Sequence, residues 1–296
     1  MLQLLLGGSG SGKTTLLYQR IRARAEKGKK SILLVPEQFT SSTEGRIYRE
    51  LGDALSGMVE SFSFTSLAEK ILSTEGGAAV QTLSDAGRAV LVRRALEELQ
   101  DNVHYYHRHR RSAAFCQMAA QTIDELKSAG LSGQQLAQLA GACGAESGKL
   151  SELALIFQGY ETLLARSGMD PSDRLELAGA RLEEALARHS LPEVLRDRAV
   201  FIDEFDTFNA PKKRLLGAML AALPSVTVAL CDDGAPLLPG DLSLFSGAKQ
   251  VAAQLRQLAR KNGAEVAVPQ LLRKDLRHRN APGLAAVTEL LETGSC

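Results

Sequence analysis

Residues 7–14 read GGSGSGKT and fit the pattern G-x-x-x-x-G-K-[ST] at every fixed position. They stand between an apolar run, residues 2–6, and a helix-like stretch, residues 15–26. Such a loop works where a buried strand ends and a helix begins, so the expected fold is α/β with a parallel sheet. Gly7, Gly8, Gly10 and Gly12 let successive backbone N–H groups turn inward around a β-phosphate, with Ser9 and Ser11 between them. Lys13 brings a point charge to the β/γ oxygens, Thr14 offers a hydroxyl to Mg2+, and Thr15 completes the nucleotide-binding set. ATP and Mg2+ are the ligands expected here.

Short β-favouring runs at 2–6, 31–35 and 59–64 are each followed by a loop and a helix-like segment. Pro36 ends the second, and Ser66 with Glu69 has capping-box spacing behind the third. From about 82 to 198 the texture changes to amphipathic stretches at 85–100, 112–129, 152–167 and 174–189, punctuated by Gly130, 141–148, 168–171 and Pro192. Strands return at 199–202 and 226–230, with a final one expected near 265–268. The layout is a nucleotide-binding core in two parts, 1–80 and 199–296, split by a helical insertion at 81–198.

Hydrophobic content of 45% and charged content of 23% suit ordinary globular packing and speak against disorder. No apolar run approaches the roughly 18 residues of a spanning helix, and the start lacks the layout of a signal peptide, so a cytoplasmic chain without membrane contact is expected. Cys116, Cys143, Cys231 and Cys296 are scattered, which suits reduced thiols. His104, His107 and His109 lack the acidic or thiol neighbours that would complete a zinc set. A net charge of +1 hides two basic clusters, one around Arg20 to Lys30 and one at Arg108, Arg110 and Arg111; each is a solvated face or a local anion patch.

The run Val200-Phe201-Ile202 leads into Asp203-Glu204, and no other apolar strand of the chain ends in this pair. At the end of a parallel strand Asp203 can hold Mg2+ and Glu204 can polarise an attacking water; the alternative is two solvated acids. The loops after the second and third strands offer Gln38, Thr40, Phe64 and Thr65 as contacts for single-stranded DNA, with Phe64 stacking on a base or else lying in the core. Residues 131–135, LSGQQ, imitate a transporter signature, but their distance from Asp203 makes Ser132 a helix N-cap instead.

GGSGSGKT at 7–14, VPEQFT at 35–40, SFSFTSLAEKIL at 61–72, LSDAGRAVLVRRAL at 83–96 and VFIDEFDTF at 200–208 together resemble the AddB/RexB family, the B subunits of AddAB-type helicase–nucleases. The resemblance covers nearly the whole chain. It implies a P-loop NTPase, RecA-like core of superfamily 1 helicase type (subdomain 1A) carrying an inserted helical subdomain 1B. It further implies DNA as substrate, resection of double-strand breaks, and an A subunit as heterodimer partner and principal motor. The family's second helicase half, nuclease and iron–sulfur cluster lie in a C-terminal region, so the chain reads as an N-terminal portion. Two departures bear on mechanism: six residues precede Gly7, leaving no room for an upstream adenine-reading Gln, and Cys231-Asp232-Asp233-Gly234-Ala235 supplies no coupling Gln. ATP binding is thus better supported than translocation. The rival readings are a structural subunit that uses nucleotide to stabilise its fold, and an unrelated kinase, which lacks a recognisable lid.

Overall fold

The first apolar run becomes the interior of a sheet. The structure is a computed structural model describing residues 1–77, 79, 81–144 and 147–293. One unit comprises Met1–Glu75, Ala180–Phe208 and the residues from Leu215 onward; the other comprises Gly76–Gly179 and Asn209–Arg214. Residues 180–198, placed with the insertion on sequence grounds, therefore group with the sheet.

The first unit opens with β1 (Leu2–Gly7), α1 (Lys13–Ala25), β2 (Ser31–Leu34), α2 (Thr40–Leu51), α3 (Asp53–Ser56), β3 (Val59–Phe62) and α4 (Phe64–Glu75). After the helical unit come β4 (Ala199–Ile202), α10 (Ala210–Ala222), β5 (Val226–Cys231), α11 (Ser246–Lys261), β6 (Gln270–Leu272) and α12 (Pro282–Thr293). The sheet order is β3-β2-β4-β5-β1-β6, and every ladder is parallel. In β1, Leu5 faces a core shared with Leu17, Tyr18 and Ile21 of α1 and Ile47 and Leu51 of α2. Leu4 and Leu6 are equally buried on the opposite side. Burial on both faces explains why these strands read as unbroken apolar runs.

Two local expectations are corrected. The cap behind β3 lies three residues earlier than the capping-box spacing predicts: the Ser66 backbone N–H donates to Ser63 Oγ (3.0 Å) and the Ser63 N–H donates to Ser66 Oγ (2.8 Å). This starts α4 at Phe64 and buries its ring, 2% exposed, edge-on to Phe205 and Phe208 at centroid distances of 5.3 and 6.0 Å. Phe64 is therefore core and offers no face to a base. The final strand is displaced as well. Val266 makes only an isolated bridge to Leu2, and β6 itself pairs with Leu5–Gly7 one residue out of step with that bridge. Pro269, without an N–H, lies between the two pairings, and Val268 is turned out to 87% exposure.

In the helical unit α5 (Asp85–Glu98), α6 (Ala113–Ser128), α7 (Gly133–Ala140) and α8 (Ser147–Ser167) enclose their own core, including Val92, Leu96, Ile123, Phe157 and Tyr160, and α9 (Pro171–Ala187) begins in the same unit. Ser132 caps α7 in a capping box with Gln135, as expected. Buried Asp170 accepts from the Tyr160 hydroxyl (2.6 Å) and from Lys127 Nζ (2.8 Å), so its charge is paired within the unit.

Replacing Phe64 by Ala is expected to cost about 3–5 kcal/mol of stability, the usual range for a buried aromatic ring. The exposed neighbour change Thr65→Ala should stay within about 0.5 kcal/mol. Denaturant titration of both chains checks this; equal stabilities would refute the core placement.

Candidate functional site

Parallel register decides what meets at the carboxyl edge of the sheet. Gly7 pairs with Cys231, and Ile202 pairs with Val228 and Leu34, so the loops after β1, β4 and β5 emerge together. β5 lies between β1 and β4, and the loop after β1 nevertheless reaches the end of β4: Thr14 and Asp203 line the same cavity, and the nearby Thr14 hydroxyl acts to lower the Asp203 carboxyl.

The glycine-rich loop has the conformation its sequence requires. Gly10 and Gly12 sit at φ 76° and 87°, in the left-handed region that favours glycine. Gly12 is the N-cap of α1, whose first turn contains no acid, leaving the positive end of the helix open to an anion. Lys13 Nζ donates to the carbonyls of Gly7 and Gly8, both at 2.7 Å, folding its ammonium back over the loop. Ser11 Oγ is buried with no hydrogen-bond partner among the described residues. Thr15 is exposed on the first turn of α1.

Asp203 is 7% exposed and accepts from the Glu204 backbone N–H at 3.0 Å. Burial pushes its carboxyl above the ordinary range, and the nearby Thr14 hydroxyl opposes that shift. Glu204 adopts φ 65°, unusual for a residue with a Cβ, and its side chain is exposed. Both acids line a cavity of about 480 Å³ together with the loop from Ser9 to Thr15, Arg46, Asp206 and Arg277. Three cations, Lys13, Arg46 and Arg277, thus face three carboxylates around one space.

Sequence alone does not single out Arg46 and Arg277. Arg46 stands on α2 with its guanidinium carbon 5.0 Å from the centre of the Tyr18 ring, whose hydroxyl burial pushes up to about 12. A basic residue on the helix after β2 is the signal that points to it. Arg277 has none, because only the sheet order brings it to the loop. The segment after β6 lies against the glycines: Leu276 N–H donates to the Gly10 carbonyl (3.0 Å) and Arg277 Nη1 to Ser9 Oγ (3.3 Å). A Cβ on Gly10 would come within 2.7 Å of Arg277 Cβ, and one on Gly12 within 3.0 Å of Leu276 Cδ1. Asp275 braces this segment by accepting from the backbone N–H groups of Arg277 and His278, which hold its carboxyl below the usual range.

Gln38 is exposed on the turn after β2, and Thr65 is exposed on the first turn of α4 after the adjacent β3. Thr40 donates its hydroxyl to the Glu37 carbonyl (2.9 Å), so it closes the local turn. Phe39, 38% exposed, is the ring on this edge that faces out, and it shares a smaller hollow with Thr14, Arg46 and Asp203.

The residues fit a nucleotide polyphosphate with a divalent cation. The crowded glycines form a cradle that side chains would fill, Ser11 leaves a buried hydroxyl unsatisfied, and the cations complement phosphate charge. Thr14 and Asp203 are the residues whose oxygens would face a divalent cation such as Mg2+, which usually takes one or two protein ligands and keeps water and phosphate for the rest.

Residues 4–288 match the family described as ADDB, N-terminal. The chain is 34% identical to the B subunit of an ATP-dependent helicase/deoxyribonuclease of Desulforudis audaxviator, over 96% of its own length and 25% of that protein. It is 32% identical to the protein of the same name in Moorella thermoacetica, over 96% of this chain and 25% of the relative. It is 29% identical to that of Clostridium perfringens, over 94% and 24%. The chain therefore spans about a quarter of the length of these curated relatives.

Asp203→Asn keeps the side-chain shape and removes the buried charge. In the presence of chelator near neutral pH it is expected to melt higher than the parent, by about 2–4 °C for each kcal/mol gained. Because burial raises the folded-state pKa of Asp203 above its unfolded value, the fold favours the protonated form. The parent accordingly gains stability as pH falls through that window, and the two melting curves converge. A parent that outmelts Asp203→Asn at neutral pH would overturn this account.

Proposed function

This chain belongs to the ADDB N-terminal family, and from that premise we propose that it is the ATP-Mg2+- and single-stranded-DNA-binding N-terminal portion of the B subunit of an ATP-dependent helicase/deoxyribonuclease. On this reading the sheet unit is the RecA-like 1A core and the helical unit is 1B. The assembly resects double-strand breaks in the cytoplasm, with an A subunit as partner and principal motor. Among the described residues, no helix is long and apolar enough to cross a membrane.

The observation that carries the reading is the cavity where the glycine-rich loop, Asp203–Glu204 and Arg277 converge. Lys13 and the N-terminus of α1 neutralise and orient phosphate. Thr14 and Asp203 would hold the metal, which when bound would neutralise phosphate charge. Glu204 is positioned to align and polarise a water. Arg46 and Arg277 add positive charge from within the same unit. Residues 1–296 on their own are expected to hydrolyse ATP slowly, since supply or removal of an arginine from a second core changes NTPase rates by roughly 10³–10⁵.

Lys13→Ala is expected to weaken ATP-Mg2+ binding by about 1.5–3 kcal/mol, the worth of a charge-assisted phosphate contact. Calorimetry giving unchanged affinity would sink the nucleotide assignment, and DNA-stimulated turnover of tens per second, abolished by Glu204→Gln, would contradict the slow rate. For the DNA edge, Gln38→Ala, Thr65→Ala and Phe39→Ala are expected to bind single-stranded oligonucleotides more weakly while melting like the parent. The loss for Phe39→Ala should reach about 1–3 kcal/mol if its ring stacks on a base. If all three bind like the parent across a range of salt, the subunit is structural at this edge.

A further inference from the structure

The nucleotide site leaves one feature of the helical unit unused. Residues 103–111, between α5 and α6, read VHYYHRHRR, and no acidic residue occurs from Asn102 to Ile123. Surface loops of this composition are normally mobile. This one is fixed. Glu152 of α8, 6% exposed, accepts from the backbone N–H of His104 (2.7 Å), of Tyr105 (2.9 and 3.0 Å) and of Tyr106 (3.3 Å). A buried carboxylate is tolerated only when it is well hydrogen-bonded, and here three successive backbone donors satisfy it. The loop continues into a short 3-10 turn, His107–His109, and Ser112 then caps α6.

Fixing this backbone holds aromatic rings at the surface. Tyr105 is 58% exposed, and its ring lies so close to α8 that a Cβ on Gly148 would come within 2.8 Å of Tyr105 Cε2. Tyr106 stacks on Phe115 with centroids 5.3 Å apart, and His109 lies 5.7 Å from the same ring. These rings, Met118 and Lys149 line an open hollow of about 420 Å³. Its walls are apolar, and no acidic side chain is among the described residues that line it. Arg108 and Arg111 are exposed on the same loop, and Arg110 is half-buried.

We propose that this face of the helical unit is a second binding surface for single-stranded DNA, with an unstacked base in the ring-lined hollow and its flanking phosphates on Arg108, Arg110, Arg111 and Lys149. Rings that take a base face, beside cations that take the backbone, are the combination by which single strands are held with little sequence preference. Duplex DNA keeps its bases stacked and cannot fill the hollow. An acidic protein segment would match the charge but would leave the exposed rings without a planar partner. The choice of DNA over RNA rests on the function proposed above; the surface shares no residue with the nucleotide cavity or with Gln38, Phe39 and Thr65.

The test is photocrosslinking of the full chain to a thymidine oligonucleotide carrying 5-iododeoxyuridine, followed by tryptic mapping. The expected adduct lies on Tyr105 within peptide 95–108 and disappears in Tyr105→Ala. It should persist when Gln38 and Phe39 are both changed to Ala, which separates failure of this surface from failure of the sheet-edge groove. In parallel, Tyr105→Ala in that double-Ala background is expected to weaken oligonucleotide binding about 5- to 150-fold. The combined change of Arg108, Arg110 and Arg111 to Gln should reduce the slope of log affinity against log salt by about 2, from roughly 0.7 per phosphate contact on a single strand. Unchanged melting curves exclude misfolding, and Gly148→Ala, which pushes on the Tyr105 ring without removing a charge, should lower the adduct yield while leaving that slope unchanged. No adduct on peptide 95–108, or an adduct without loss of affinity in the arginine variant, overturns the proposal and leaves the patch as a protein-docking face.

Discussion

A carboxylate held out of water at the end of β4 is the constraint on which the rest of the sheet unit turns. Asp203 continues the ladder, its N–H donating to the Leu34 carbonyl at 3.1 Å, yet its side chain must find donors before the chain turns away. It finds one, the Glu204 N–H, and has the Thr14 hydroxyl near enough to act on its carboxyl. That neighbour comes from the loop after β1, with β5 between the two strands; β4 stops opposite Val228, three residues short of Cys231, where β1 ends. The site is thus a property of the ladder, and the loop residues inherit their positions from it.

Local strain collects at the same edge. Gly10, Gly12 and Gly234 occupy left-handed conformations, at φ 76°, 87° and 76°, where glycine is at ease. Glu204 occupies that region at φ 65° with a side chain attached. The turn that gives its N–H to Asp203 also leaves its carboxylate exposed in the cavity. A non-glycine residue kept in such a conformation beside a polar cavity points to a use for that side chain.

How much of this is legible in sequence depends on the range of the interaction. The glycine-rich loop and the strand at 199–202 are readable because backbone freedom and burial on both faces are encoded in adjacent residues. The start of α4 shifts by one turn from its expected place because Ser63 and Ser66 both satisfy capping chemistry, and only the end of β3 selects between them. That shift decides the fate of Phe64. Arg277 cannot be read at all: its meeting with Ser9 depends on β6 lying beside β1, a partner choice made by the whole sheet. The final strand departs from expectation for a related reason, since residues 265–268 have the right composition while Pro269 interrupts the ladder.

Two buried acids show how the same chemistry serves opposite ends. Glu152 and Asp203 are nearly equally buried, at 6% and 7% exposure. Glu152 spends both oxygens on three backbone N–H groups that belong to one loop, so its charge is consumed in holding that loop still. Asp203 has one backbone donor, the Glu204 N–H, and faces an open cavity lined by Lys13, Arg46 and Arg277, so its acceptor capacity is only partly used. A carboxylate with two oxygens offers about four lone-pair sites, and what the fold leaves unfilled at Asp203 is what a cation can take. The first acid is a structural fastening; the second is held in a costly environment that its own fold does not fully relieve, which is the condition under which a ligand, rather than a neighbouring residue, completes the site.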